Sequence, residues 1–252
     1  MNDQVNASMS DYEGNLLFYF NGCSIVDADH QLIENGDSIN YDADWWWGIA
    51  DCKYGYSGPN NTIIIQDPGK NNNYYIFHKT WEYIKYKNKI DEGIFGLKYT
   101  YVDTKENNGK FKVTKKNVLI NKDTVMSGYL HAVKHINGKD WWLIDLKETP
   151  NVGTPTNKHI IYLLNSSGPH VHSIQQFGPN FSDNSSACGG SRFSPDGNKW
   201  VYYCKRDGLW MLDFNRETGE LSNYKYHNIS HEKSAGGLEW SGNSRFLYIS
   251  TL

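Results

Sequence analysis

Cysteine is scarce, with four in 252 residues, and no two stand as Cys-x-x-Cys, which excludes a zinc ribbon and a thioredoxin-type redox pair. No apolar run approaches the roughly 20 residues that span a bilayer, so membrane insertion is not expected. Charge of either sign is nearly cancelled. The 25 Lys and Arg against 28 Asp and Glu leave a net charge of −3, which implies neither nucleic acid nor an anionic lipid surface as a partner. A Gly-x-Ser-x-Gly elbow, a His-Glu-x-x-His helix, a Walker loop and a dinucleotide fingerprint are all missing, so no catalytic residue, metal or cofactor is assigned from motifs. Residues Met1 to Tyr12 lack the zones of a secretory leader. They read instead as the interior of a structural unit, and a longer parent chain with further domains is expected.

What the chain has in quantity is aromatic side chains: 15% of residues, with 18 Tyr and 9 Trp, against an apolar content of only 38%. Large rings suit strands that pack between sheets. The clearest stretch runs from Gly189 to Leu252. Gly189-Gly190-Ser191-Arg192-Phe193 and Lys199-Trp200-Val201-Tyr202-Tyr203-Cys204 flank a Pro195-Asp196-Gly197 turn, and Leu209–Phe214 and Leu221–His227 follow as third and fourth strands. Gly237-Leu238-Glu239-Trp240-Ser241 and Phe246–Ser250 then restate the first two. A repeated four-stranded antiparallel unit is the signature of a β-propeller blade.

The expected fold class is therefore all-β, a propeller of four-stranded antiparallel blades over residues 1–252. Blades are placed at residues 5–36, 62–120, 129–177 and 189–228, with a partial blade at 235–252; that is about four and a half blades, an open rather than a closed ring. The last strand, Phe246–Ser250, is expected to expose one edge. A charged insertion at residues 79–96 is expected to contain a helical turn.

Candidate site residues are few. Trp45, Trp46 and Trp47 lie in the long connection after the first blade, and at least one exposed indole would suit stacking on a sugar ring; the competing reading is that the loop folds over the blade and buries them. His170 and His172 share a strand face, but no third metal ligand is identifiable. Asp27, Asp29, Asp42 and Asp44 are explained by turn chemistry more simply than by calcium. If the hairpin turn is centred on Asp196, residues equidistant from it face each other, which pairs Cys188 with Cys204 as a disulfide or as two buried thiols.

Gly14–Tyr19, Asn21-Gly22, His30–Asp37, Phe193–Gly197, Asp213–Gly219 and Gly237–Ser241, taken together, resemble the N-terminal propeller, with WD-like repeats, of large secreted proteins of gliding-type bacteria. The resemblance implies a secreted or cell-surface protein, with adhesion-type domains and a type IX secretion signal elsewhere in the parent chain. On it, the chain is read as a non-catalytic scaffold or recognition module that binds protein or glycan through inter-strand loops. The alternative is a hydrolase or lactonase-like propeller with its site at the central channel. The cysteine pairing is checked by peptide mapping of the exported protein without reductant: a cross-linked pair of peptides holding Cys188 and Cys204 is expected, and recovery of both as free thiols would exclude the bond.

Overall fold

Alternation of large apolar with polar residues becomes, in the computed structural model, twenty β-strands joined mainly as antiparallel neighbours. The residues described are 6–40, 58, 60–86, 89–104, 110–148, 155–180, 189–205, 207–229 and 237–250, and among them there is no helix. Trp45, Trp46, Trp47, Asp42, Asp44, Cys52 and Cys188 lie outside the described residues. The chain divides into two compact units, Met1–Lys122 and Asp123–Leu252.

In the first unit β1 (Ala7–Ser10), β2 (Leu16–Phe20) and β3 (Ile25–Asp27) form a three-stranded meander. The fourth strand that a four-stranded blade at residues 5–36 calls for is reduced to single bridges, Val26 to Leu32 and Glu34 to Lys112. His30 and Asn35 on either side both take positive φ, 60° and 59°, so the segment turns in and out before a ladder can form. The second blade is complete: β4 (Thr62–Gln66) and β5 (Tyr74–His78) pair in register. The expected helical turn is instead a hairpin of β6 (Trp81–Tyr86) and β7 (Lys89–Phe95). Its sequence is rich in Trp, Tyr, Ile and Phe, which favour strand, and this outweighs its charge. β8 (Lys98–Asp103) and β9 (Lys112–Leu119) close the sheet in the order β4-β5-β8-β9.

Phe18, Phe20 and Ile25 from the first blade pack with Tyr74, Ile76, Val102 and Val113 from the second to form this unit's core. A buried polar knot ties the β4–β5 turn to β8. Tyr101 Oη donates to Asp67 Oδ2 at 2.5 Å, and Asn73 Nδ2 donates to Tyr101 Oη and Asp103 Oδ2 at 3.0 and 2.9 Å.

The second unit begins with β10 (Thr124–Val125), followed by β11 (His131–Lys134), β12 (Trp141–Glu148), β13 (Pro155–Asn165) and β14 (Gly168–Gln176). Next comes a four-stranded meander of β15 (Gly189–Phe193), β16 (Lys199–Cys204), β17 (Gly208–Asn215) and β18 (Glu220–His227). β19 (Leu238–Trp240) and β20 (Leu247–Ile249) make a two-stranded sheet. These antiparallel sheets are propeller-type blades.

β16 shows why the aromatic content is needed, because both of its faces are buried. Trp200, Tyr202 and Cys204 face a core shared with Trp142, Ile144 and Leu146 of β12. Val201 and Tyr203 face the opposite way, onto Leu238 and Trp240 of β19. Each large side chain so removed from water contributes on the order of 1.5–3 kcal/mol.

The two four-stranded blades of this unit are also latched by hydrogen bonds. Trp142 Nε1–H donates to Arg216 O at 2.8 Å, Gln175 Nε2–H to Gly219 O at 2.8 Å, and Leu221 N–H to Gln175 Oε1 at 2.8 Å. Gly219 has φ of +75°, and a Cβ there would stand 2.8 Å from the Trp142 indole. Only glycine meets both demands.

The β15–β16 hairpin corrects the expected register. Gly189 pairs with Cys204 and Phe193 with Trp200, so the centre of the turn falls between Asp196 and Gly197 rather than on Asp196. The even loop is closed by Ser194 N–H to Lys199 O at 2.9 Å, with Gly197 at φ +73°. Gly189 therefore stands opposite Cys204, and Cys188, with its expected pairing, lies outside the described residues. Cys23, in the first unit, and Cys204, in the second, are each fully buried and each held in a disulfide of its own.

His159, on β13, is fully buried among Trp200, Tyr202 and Phe177, with ring centroids 5.2, 5.6 and 6.1 Å away. Neither ring nitrogen makes a hydrogen bond of good geometry. Burial lowers its pKa to about 4, only partly opposed by the backbone of Gln175 and Asn157. The unfolded chain binds this proton below the ordinary pKa near 6.5 and the folded chain does not, so stability falls as pH drops from 6.5 toward 4, by about 1.4 kcal/mol per pH unit. Denaturant titrations of the wild type and His159→Leu over that window should show a shallower pH dependence in the variant; equal slopes would mean that His159 is not the responsible group.

Candidate active site

The strands that begin the blades of the second unit, β11, β15 and β19, lie side by side in succession. Each brings one titratable or charged side chain to this edge. Arg192 on β15 stands two residues before Ser194, and Glu239 on β19 two residues before Ser241; both serines donate their backbone N–H to close their hairpins, to Lys199 O and Phe246 O. The two residues thus hold the same place in successive repeats and carry opposite charge. His131 stands four residues before His135, whose N–H closes the β11–β12 hairpin, so it has the same strand parity.

Arg192 Nε lies 3.3 Å from Glu239 Oε2, and Arg192 Nη1–H donates to Ser191 O at 2.8 Å. Glu239 Oε1 accepts the backbone N–H of Trp240 at 3.0 Å. Ser191 is itself fixed, its Oγ–H donating to Tyr129 O at 2.7 Å. The carboxylate is therefore held by a backbone donor on one oxygen and a guanidinium on the other. The Trp240 N–H and the Arg192 side chain hold the Glu239 pKa below the usual carboxylate range, with His131 adding to the effect.

His131 accepts the Phe193 N–H at Nδ1, at the long distance of 3.5 Å, and its ring lies 5.9 Å from that of Phe193. Burial and then the Arg192 charge lower its pKa to about 4, against the pull of Glu239 and the Ala132 backbone. At neutral pH the imidazole is uncharged, with its proton on Nε2. One edge thus combines a fixed cation, a neutral N–H donor and a carboxylate whose side chain is 69% exposed. That set can polarise a carbonyl and accept a proton from water.

The residues singled out in the sequence go elsewhere. His172 Nε2 lies 3.1 Å from Thr218 O and its ring packs against Trp142 with centroids 4.9 Å apart; His170 Nδ1 is 3.4 Å from Gly168 O. The structure does not join them to further ligands, and no group of three or more His, Cys, Asp or Glu able to hold a metal occurs among the described residues. Asp27 Oδ1 accepts the N–H groups of Asp29 and Gln31, as a turn residue does. Sequence reasoning missed His131, Arg192 and Glu239. A signal was present: aligning Gly190-Ser191-Arg192-Phe193-Ser194 with Gly237-Leu238-Glu239-Trp240-Ser241 leaves opposite charges at one position between matched neighbours.

No family model and no curated protein sequence matches the chain. Among solved structures, the chain is similar to a periplasmic gluconolactonase of Pseudomonas aeruginosa, at 11% identity and a TM-score of 0.48, covering 96% of this chain and 61% of that one. It is similar to a Bacteroides uniformis protein assigned as a 6-phosphogluconolactonase, at 8% identity and a TM-score of 0.43, covering 99% and 76%. A Bifidobacterium bifidum protein assigned as an exo-β-1,3-galactanase aligns at 10% identity and a TM-score of 0.42, covering 74% and 59%. The chain thus spans 61% of the gluconolactonase's length.

The expectation of a non-catalytic scaffold or recognition module in preference to an enzyme is not carried forward: the solved structures similar to the chain bear lactonase and galactanase names, and their likeness is one of fold alone. At such identities they do not assign a reaction, which has to be argued from the chain's own residues.

Proposed function

We propose that the chain carries the propeller of a hydrolase that opens a cyclic ester. The observation behind this reading is the Arg192–Glu239 pair at one position of successive blades, beside the neutral His131. Arg192 and the His131 Nε2–H draw electron density onto the carbonyl oxygen of the lactone. Glu239 takes a proton from water as the water oxygen bonds to the carbonyl carbon. The ring carbon–oxygen bond then breaks, the leaving oxygen takes the proton held by Glu239, and the product is an open-chain hydroxy acid with the carboxylate restored. No covalent enzyme intermediate is required.

Export fits the same reading. Cys23 and Cys204 are disulfide-bonded, and such bonds persist in oxidising compartments such as the periplasm or the cell exterior. The finer placement, in a parent protein of gliding-type bacteria with a type IX signal, rests on the sequence resemblance alone.

The test uses D-glucono-1,5-lactone with a pH indicator, read against spontaneous hydrolysis. The wild type should accelerate opening, and Arg192→Met and Glu239→Gln should each lower kcat/KM by about 10²–10³ with an unchanged melting transition. No acceleration by the wild type, or full activity in both variants, would overturn the proposal.

A further inference from the structure

A groove of about 770 Å³ opens in the first unit, where the β1–β2 and β4–β5 turns come together. This volume lies in the range of small-molecule sites, about 300–1,000 Å³. Its floor is rigid: Tyr74 and Phe111 each meet Phe18 edge to face with ring centroids 5.2 Å apart, and Met9 and Leu17 pack on the same core. Its rim is polar and carries Gln66, Asn71 and Asn72, all exposed.

Two sets of side chains here stay out of the fold's packing. Tyr12, at the tip of the β1–β2 turn, is 96% exposed, so its ring supports nothing in the fold. The side-chain amides of Gln66, Asn71 and Asn72 make no hydrogen bond with the described residues. An amide offers two donors and an acceptor in one plane, a match for vicinal hydroxyls that both donate and accept. An exposed phenol ring offers an apolar face to the C–H side of a sugar.

The charge of the lining narrows the ligand further. Among the described residues its lining contains no Lys or Arg, and the one carboxylate there, Asp11, is committed to its own turn. Asp11 Oδ1 accepts the N–H groups of Glu13 and Asn15 at 3.0 and 2.8 Å, and Oδ2 accepts Asn15 Nδ2–H at 3.0 Å. Neither an anionic nor a cationic ligand finds a free counter-charge among the described residues of the lining.

We infer that this groove binds a neutral saccharide, with Tyr12 as the stacking platform and the amides of Gln66, Asn71 and Asn72 reading its hydroxyls. The site belongs to the first unit and does not depend on the hydrolase reading, whose residues all lie in the second.

The probe is a panel of neutral mono- and disaccharides (glucose, galactose, mannose, N-acetylglucosamine, lactose and cellobiose), with glucuronate and glucosamine as charged controls. Binding is read by saturation-transfer NMR on the full chain. At least one neutral sugar should show transfer, Tyr12→Ala and Gln66→Ala should each weaken it by about tenfold or more, and Arg192→Met should bind as the wild type does. Both tested side chains are exposed, so the variants should keep the wild-type melting transition. Absence of transfer from every neutral sugar, preference for a charged control, or undiminished binding by Tyr12→Ala would overturn the inference. Loss of binding in Arg192→Met alone would place the sugar at the reacting edge and overturn it as well.

Discussion

Burial of both faces of each central strand is the constraint on which the second unit depends. A sheet that meets a neighbour on either side has no solvent face on which to put polar residues, and its side chains must reach across about 10 Å to interdigitate. That explains why β16 reads Lys-Trp-Val-Tyr-Tyr-Cys, with every residue after the lysine buried, and why Trp210 stacks on Tyr202 with centroids 5.0 Å apart. It also explains the unbonded buried nitrogens of His159 and of the Trp200 indole. Ring area outweighs an unpaired donor where shape complementarity decides the packing.

The same constraint governs what was legible in the sequence. Strands such as Trp200–Cys204 and Leu209–Phe214 are readable because turn residues with fixed or positive φ bracket them. The hairpin of residues 81–95 was misread because its charges suggested a helical turn, whereas its aromatic and β-branched residues decided the outcome. The fourth strand of the first blade was over-read for the opposite reason. Its residues have strand character, but His30 and Asn35 turn the backbone away at both ends, and left-handed φ at a non-glycine residue leaves little trace in sequence. The displaced centre of the Pro195-Asp196-Gly197 turn shows how one residue of loop length changes every cross-strand partner.

The candidate active site was harder to see than the fold because its members are common residue types on three different strands. His131, Arg192 and Glu239 belong to no motif, and their proximity arises only when successive blades set their first strands side by side. Chemistry here is a property of the arrangement of repeats and not of any one of them. Tyr12 is the contrary case: a large ring on a turn tip is visible in sequence as a surface residue, but the amides that share its groove come from elsewhere along the chain.

Arg192 and Glu239 hold one position in two repeats, and this sets a limit on how alike the repeats can be. Two arginines or two glutamates at that separation would repel each other, so the contact between these neighbouring strands needs the repeats to differ there while the hairpin-closing serines, Ser194 and Ser241, hold the same place in both. Stacked units that were identical at every position would lose this pair.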